Sequence, residues 1–192
     1  HDVVVLDNLS RRGSRERLAL LQSNHPDSRL SAVILDILDF DSLAQPVQSA
    51  DWIFHLAGQV AVTSSLRDPI ADFEANGRGT LNLLEAARRS DLDPVLVYSS
   101  TNKVYGPLDS IGVFESSTRY FWKHHRHGID ETTPLDFFTP YGCSKGTGDQ
   151  YFRDYHRVYG LKTVVLRQSC VYGPWQSGTE DQGWLSWFVR AG

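Results

Sequence analysis

Five short apolar runs punctuate the chain: residues 3–6 (Val-Val-Val-Leu), 32–35 (Ala-Val-Ile-Leu), 52–56 (Trp-Ile-Phe-His-Leu), 95–98 (Val-Leu-Val-Tyr) and 163–166 (Thr-Val-Val-Leu). They are rich in β-branched residues and nearly continuous in apolarity. Strands of that kind are covered on both faces, as in a parallel sheet. Helical patterns lie between them, over 15–22, 68–89 and 141–159. The second opens on Asp68-Pro69, with proline in its favoured first-turn position, and has Leu81, Leu84 and Glu85 near its core. The third stops at Gly160, a good C-terminal cap residue. Strands alternating with helices predict βαβ units and an α/β fold.

One stretch breaks the rhythm. Residues 107–140 show no clear period and contain Trp122, Lys123, His124, His125, Arg126 and His127. This reads as a long insertion ahead of the third helix, of the kind that is functional or disordered in compact domains. Its histidines lack an acid or thiol spaced to complete a metal site, so we read a solvated loop and expect no metal.

Composition narrows the class. The 192 residues are 41% hydrophobic and 22% charged, near the values of a soluble globular domain, with room for a second domain only if it is small. No apolar run approaches a membrane span. The net charge of −4 comes without a long single-sign block, which argues against a nucleic-acid or acidic-membrane partner. Cys143 and Cys170 show neither metal-ligand spacing nor a pairing pattern, so a reducing compartment, the cytoplasm, is expected. The chain starts at His1 and stops at Arg190-Ala191-Gly192, within what reads as a helix, so we expect a fragment cut at both ends.

The chemistry-bearing residues sit where the first strands end. Asp7 and Asn8 follow the first run. In dinucleotide-binding folds an acid there accepts hydrogen bonds from the adenosine ribose, and its charge favours NAD over NADP. Taken alone, Asp7 reads better as a surface residue opening a turn, and Arg11 and Arg12 weaken the exclusion of NADP. Asp36-Ile37 ends the second run, and Leu56-Ala57-Gly58 ends the third. Ligands of open α/β sheets bind at such carboxyl ends. The sharpest signal is Tyr141-Gly142-Cys143-Ser144-Lys145. Tyr and Lys four apart share one helix face. An ammonium near a phenol favours the phenolate, which would make Tyr141 a general acid/base. The run 97–106 (Val-Tyr-Ser-Ser-Thr-Asn-Lys-Val-Tyr-Gly) delivers strand-end hydroxyls that can share a substrate oxygen with Tyr141.

With these motifs, the chain resembles the extended short-chain dehydrogenase/reductases, the NAD-dependent nucleotide-sugar epimerases and dehydratases. The resemblance rests on Asp7-Asn8-Leu9-Ser10, His55-Leu56-Ala57-Gly58-Gln59, Asn76 with Gly79-Thr80, Ser99-Ser100-Thr101 with Val104-Tyr105-Gly106, and Tyr141 with Lys145. It implies a Rossmann-like doubly wound parallel sheet. NAD would be bound by Asp7, Asn8, Asp36, Ile37, Leu56, Ala57, Gly58, Gln59, Asn76, Tyr141 and Lys145. Thr101, Tyr141 and Lys145 would be catalytic, and Thr101, Asn102, Ser169 and Cys170 would meet the substrate. Asn102 and Lys103 replace the Asp-Glu pair that 4,6-dehydratases carry after the catalytic threonine, so the acid and base for eliminating water are missing. The insertion, the Leu135-Asp136-Phe137 run and Arg167-Gln168-Ser169-Cys170 look like the subgroup that inverts C2 of a CDP-linked dideoxyhexose.

The implied reaction is transient oxidation at C2. Tyr141 takes the hydroxyl proton as hydride passes to NAD, Thr101 hydrogen-bonds the same oxygen, and Lys145 binds the nicotinamide ribose and holds Tyr141 ionised. The alternatives are another epimerase or reductase of the family, such as a UDP-hexose 4-epimerase, or a non-catalytic NAD-binding protein. The family also implies a homo-oligomer. Its usual strand order, 3-2-1-4-5-6, opens with a central strand and a Gly-rich turn that this sequence does not contain. We therefore expect 1–170 to form a partial NAD-binding domain and 171–192 to start a substrate-binding region. We also expect the first and third runs to lack their shared neighbour, and the chain alone to bind NAD poorly and to be inactive.

Overall fold

The structure, a computed structural model, describes residues 1–26, 29–176 and 178–191. The first half runs β1 (Val3–Asp7), α1 (Ser14–Asn24), β2 (Leu30–Ile34), α2 (Phe40–Gln48), β3 (Trp52–His55), α3 (Val62–Arg67), α4 (Pro69–Phe73), a π-helical turn (Glu74–Arg78) and α5 (Gly79–Arg88). The second half runs β4 (Val95–Thr101), a 3-10 turn (Asn102–Tyr105), β5 (Val113–Glu115), β6 (Tyr120–Trp122), α6 (Thr139–Tyr159), β7 (Lys162–Gln168) and α7 (Trp184–Ala191).

All five apolar runs are strands, and every pairing among them is parallel. β1 pairs with β2 from Val3↔Leu30 to Asp7↔Ile34. β4 lies between β3 and β7, with Trp52↔Val95 at one end and Thr101↔Gln168 at the other. The sheet is in two pieces, β1–β2 and β3–β4–β7. Among the described residues no pairing joins β1 to β3, the outcome expected from the strand order. The halves are tied elsewhere. Asn82 of α5 donates its amide to the carbonyls of Ile37 (3.0 Å) and Leu38 (3.3 Å). The Ile37 side chain lies against the bare Cα of Gly79.

The core joins one face of the sheet to three helices. Leu43 and Val47 of α2, Leu83, Leu84, Ala86 and Ala87 of α5, Leu96 and Tyr98 of β4, and Phe152 and Tyr155 of α6 form one buried cluster, with Leu6, Ile53 and Val165 packed against it. Burial thus differs from the two-sided cover expected of these runs. Only β4 buries most of its length, whereas β7 strictly alternates half-buried with exposed residues. The outward residues Phe54, Val164 and Leu166 stay exposed, and α1 buries none of its side chains.

The helix expected over 68–89 is present but interrupted. Asp68 caps α4 by accepting the Ala71 N–H at 3.0 Å, and Pro69 takes the first turn. The π-helical turn then inserts between α4 and α5. α2 carries Pro46 in its interior and is started by Asp39, whose carboxylate accepts from Ser42 N–H and O–H. The insertion contains a β5–β6 hairpin, with Phe114 stacked on Phe121 at 5.2 Å and Arg119 over Phe121 at 4.3 Å. His124 and His127 are exposed.

α6 spans 21 residues and ends at Gly160, whose φ of 76° suits a glycine cap. Two of its glycines allow close contacts. The Phe137 ring lies within 2.6 Å of where a Cβ on Gly146 would sit, and the Tyr98 hydroxyl within 2.6 Å of one on Gly148.

Candidate active site

β4 delivers Thr101 at its carboxyl end, and the first turns of α6 present Tyr141 and Lys145 on one face. All three are buried, at 7%, 9% and 6% exposure. Their backbones are pinned. The Tyr141 N–H donates to Ser65 Oγ at 3.1 Å, and the Lys145 carbonyl accepts from the Tyr98 hydroxyl at 3.3 Å. Thr101 Oγ1 accepts the Lys103 N–H at 3.2 Å, which starts the 3-10 turn.

The Lys145 ammonium donates to the Ser99 carbonyl at 2.7 Å and lies 4.3 Å from the centre of the Tyr98 ring. Burial pulls its pKa down to about 8, against the opposing charges of Asp72 and Asp149. Tyr141 is pushed up by burial, while its hydrogen bond with the Thr101 side chain pulls it down and the Asp72 charge raises it further. This corrects the expectation that Lys145 lowers the phenol. The ammonium is directed at a backbone carbonyl, so burial dominates at Tyr141.

Behind the pair lies a polar cluster centred on Asp72, a residue the sequence did not single out. Asp72, fully buried in α4, accepts from Ser144 Oγ (2.5 Å), Gln59 Nε2 (2.8 Å) and Asn76 Nδ2 (3.2 Å). Asn76 also donates to Ser144 Oγ at 3.0 Å. Gln59 is clasped by both backbone groups of Ala61. Burial pushes the Asp72 carboxyl up, while hydrogen bonds from Ser144 and Gln59 and the charge of Lys145 pull it back. A second network crosses the other side of α6. Arg167 of β7 grips both oxygens of buried Asp149 at 2.9 Å and donates to Tyr105 Oη at 2.9 Å, and Ser100 Oγ donates to Asp149 at 2.7 Å.

The remaining sequence-derived residues fall into three groups. Asp7, Asn8 and Asp36 cluster where β1 and β2 end. Asn8 Nδ2 donates to Asp36 at 2.8 Å, and Asp7 Oδ1 accepts the Leu9 N–H at 2.6 Å. Ile37 joins this group to α5 through Asn82. Leu56, Ala57 and Gly58 follow β3, with Leu56 and Gly58 exposed. Gly58 has φ 152°, and a Cβ there would come within 2.5 Å of Asn76 Oδ1. Asn102, Ser169 and Cys170 are exposed just past the ends of β4 and β7, and do not enter the buried cluster.

These residues fit a dinucleotide. Among the described residues Asp7 Oδ2 has no hydrogen bond, which leaves an acceptor at a strand end where a ribose diol binds in such folds. Asn76 Oδ1 is buried without a hydrogen-bond partner among the described residues, beside the bare backbone of Gly58. Such an orphaned acceptor is uncommon in a folded protein and points to a bound donor.

Parallel strands with candidate site residues at their carboxyl ends, beside a buried Thr-Tyr-Lys cluster, are the arrangement of a nucleotide-binding α/β domain. Residues 1–191 match the model of the NAD dependent epimerase/dehydratase family, and the chain belongs to that family. It is similar to the CDP-paratose 2-epimerase of Salmonella typhi, 48% identical over 98% of this chain and 56% of that protein. A putative UDP-glucose 4-epimerase of Methanocaldococcus jannaschii is 32% identical over 98% of this chain and 54% of its own length. Among solved structures, the UDP-glucose 4-epimerase of Thermotoga maritima with UDP-glucose superposes with a TM-score of 0.78 at 29% identity, covering 98% of this chain and 54% of that one. A dTDP-glucose 4,6-dehydratase of Streptomyces venezuelae with NAD bound gives 0.73 at 34% identity, covering 91% and 48%. The chain spans about half the length of the curated relatives it matches.

Proposed function

We propose that the whole protein is an NAD-dependent nucleotide-sugar epimerase that inverts C2 of a CDP-linked dideoxyhexose, CDP-paratose to CDP-tyvelose. The observation that carries the reaction type is the burial of Thr101, Tyr141 and Lys145 in one cluster at the end of β4. The likeness to the Salmonella protein supports the sugar and the CDP group. The absence of an Asp-Glu pair at Asn102-Lys103 argues against dehydration, although a 4,6-dehydratase is among the structural neighbours.

In this reading Asp7, with Asn8 and Asp36 beside it, holds the adenosine ribose of NAD. Ala57, Gly58, Gln59 and Asn76 line the path of the dinucleotide, and Lys145 reaches the nicotinamide ribose. NAD, when bound, accepts a hydride and returns it. Tyr141 Oη removes the proton from the C2 hydroxyl and later gives it back. Thr101 Oγ1 hydrogen-bonds the same oxygen. Because burial holds the phenol protonated at rest, ionisation calls for the Lys145 ammonium to turn from Ser99 toward it. Between the two transfers the 2-keto sugar rotates to offer its opposite face, anchored by its nucleotide. Ser169 and Cys170, exposed beside Thr101, meet the sugar. The protein acts in the cytoplasm as a homo-oligomer. Residues 1–170 are the cofactor-binding part, and 171–192 begin the substrate-binding part.

The test is proton NMR of the whole protein with CDP-paratose and no added NAD. The C2-inverted sugar is the expected product, and an unchanged spectrum removes the sugar assignment. Similarity to the 4-epimerases makes UDP-hexoses the next substrates in that event. Tyr141→Phe should lower turnover by a factor of about 10²–10⁴, the usual contribution of a general acid/base. A full-rate variant would mean that Tyr141 is not the proton carrier.

A further inference from the structure

Two buried charges of opposite sign flank the first turns of α6, and neither forms an ion pair among the described residues. The Lys145 ammonium donates to the carbonyl of Ser99, a neutral acceptor. Asp72 takes only neutral donors, from Ser144, Gln59 and Asn76. The other groups around Lys145 do not supply a free negative charge. Asp149, one turn along α6, is gripped by Arg167 through both oxygens. His55 of β3 is hydrogen-bonded to Thr80 and held neutral by burial, which pulls it down to about 3. The phenols of Tyr98 on β4 and Tyr141 on α6 are both pushed up by burial and stay neutral. Asp72, bonded to the hydroxyl of Ser144 next to Lys145 in α6, is therefore the buried acid left without an ion pair among the described residues on the turn that carries the unpaired ammonium.

The cluster also fixes where the pair sits. Ser144 precedes Lys145 in α6 and is held by Asp72 and Asn76. Ser65 of α3 accepts the Tyr141 N–H. Three consecutive elements of the first half, α3, α4 and the π-helical turn, thus clasp the turn of α6 that carries the reactive side chains.

We propose that Asp72 is a positioning residue: clamped behind the site by Ser144, Gln59 and Asn76, its carboxylate keeps the Lys145 ammonium charged on the turn of α6 that carries Tyr141. A carboxylate close to an ammonium favours the charged form, and the effect is strong where water is excluded. This role rests on the proposed proton transfer at Tyr141, since only that chemistry needs Lys145 protonated.

The test uses the whole protein labelled with ¹³C at lysine Cε. Residues 1–192 contain Lys103, Lys123, Lys145 and Lys162, and in the whole protein the Lys145 signal is the one lost in Lys145→Arg. In the wild type it should titrate near 8. In Asp72→Asn the midpoint should fall, and the alkaline limb of the pH–rate profile should move down by the same interval. An unchanged midpoint in a cooperatively folding Asp72→Asn protein overturns the proposal. Should that variant fail to fold, the Asp72 ¹³Cγ signal of the wild type decides. A carboxylate ionised at pH 7 supports the role, and a protonated one overturns it. The lysine titration needs no sugar. A shifted midpoint in a protein without epimerase activity would refute the assigned reaction and leave the Asp72–Lys145 coupling standing.

Discussion

Lys145 enters the fold with its charged form disfavoured by burial, and this has a consequence for stability. Its folded pKa of about 8 lies below the ordinary lysine value of 10.5. Between those values the unfolded chain binds the proton and the folded one does not, so stability rises with pH through that window. Below about 8 both states carry the proton, and the penalty is fully present. Urea unfolding across pH 7 to 10 should show this rise in the wild type, and Lys145→Met should flatten it. An identical slope in the variant would show that Lys145 is not the source. At this scale the sequence revealed part of the site. Tyr141 and Lys145 were visible through their helical spacing, and Thr101 through the strand that ends on it. Asp72 and Asp149 were not, because a single acid in an amphipathic helix reads as solvent-facing. Only tertiary packing shows that both are buried.

Among elements, α6 shows best how packing reverses a local rule. In an ordinary helix interior, Gly→Ala is stabilising by about 1 kcal/mol. At Gly148 a Cβ would meet the hydroxyl of Tyr98, a side chain with no exposed surface and no room to retreat. Overpacking of a core costs about 1–3 kcal/mol. Gly148→Ala should therefore destabilise by about 1 kcal/mol, seen as a lower urea midpoint at unchanged slope. A stabilised variant would contradict the close approach. The five sheet strands were legible because β-branched runs read plainly. α2 was hidden by Pro46 in its interior, α3 by having only six residues, and the β5–β6 hairpin by strands of three. The π-helical turn escaped because a 3.6-residue period extrapolates through it, yet it is this turn that carries Asn76 into the site.

At the scale of the molecule, the divided sheet dominates. Among the described residues β1 and β3 each keep an unpaired edge, and Val3, Val4, Trp52, Phe54 and Leu56 around them are exposed. Unprotected apolar edges are templates for pairing with another chain. The 192-residue chain by itself should associate as its concentration rises, which light scattering would detect, and calorimetry should find only weak NAD binding. A dilution-independent monomer that binds NAD tightly would show that the two edges are protected in solution. The fold class was readable in advance because parallel strands joined by helices leave a rhythm in the sequence. The one-sided cover was not, because apolarity reports what a strand is able to bury rather than what covers it.

The glycines of α6 tie these scales together through folding. A helix with Gly142, Gly146 and Gly148 in its first half has little tendency to form alone, since each glycine costs about 1 kcal/mol relative to alanine. Its backbone order is lent by β4, α4 and the Phe137 segment, so its amides should exchange with solvent only when the whole assembly opens. A half-folded molecule then has no Tyr141–Lys145 pair at all: the reactive groups come into being together with the native state, and a damaged or nascent chain is chemically silent.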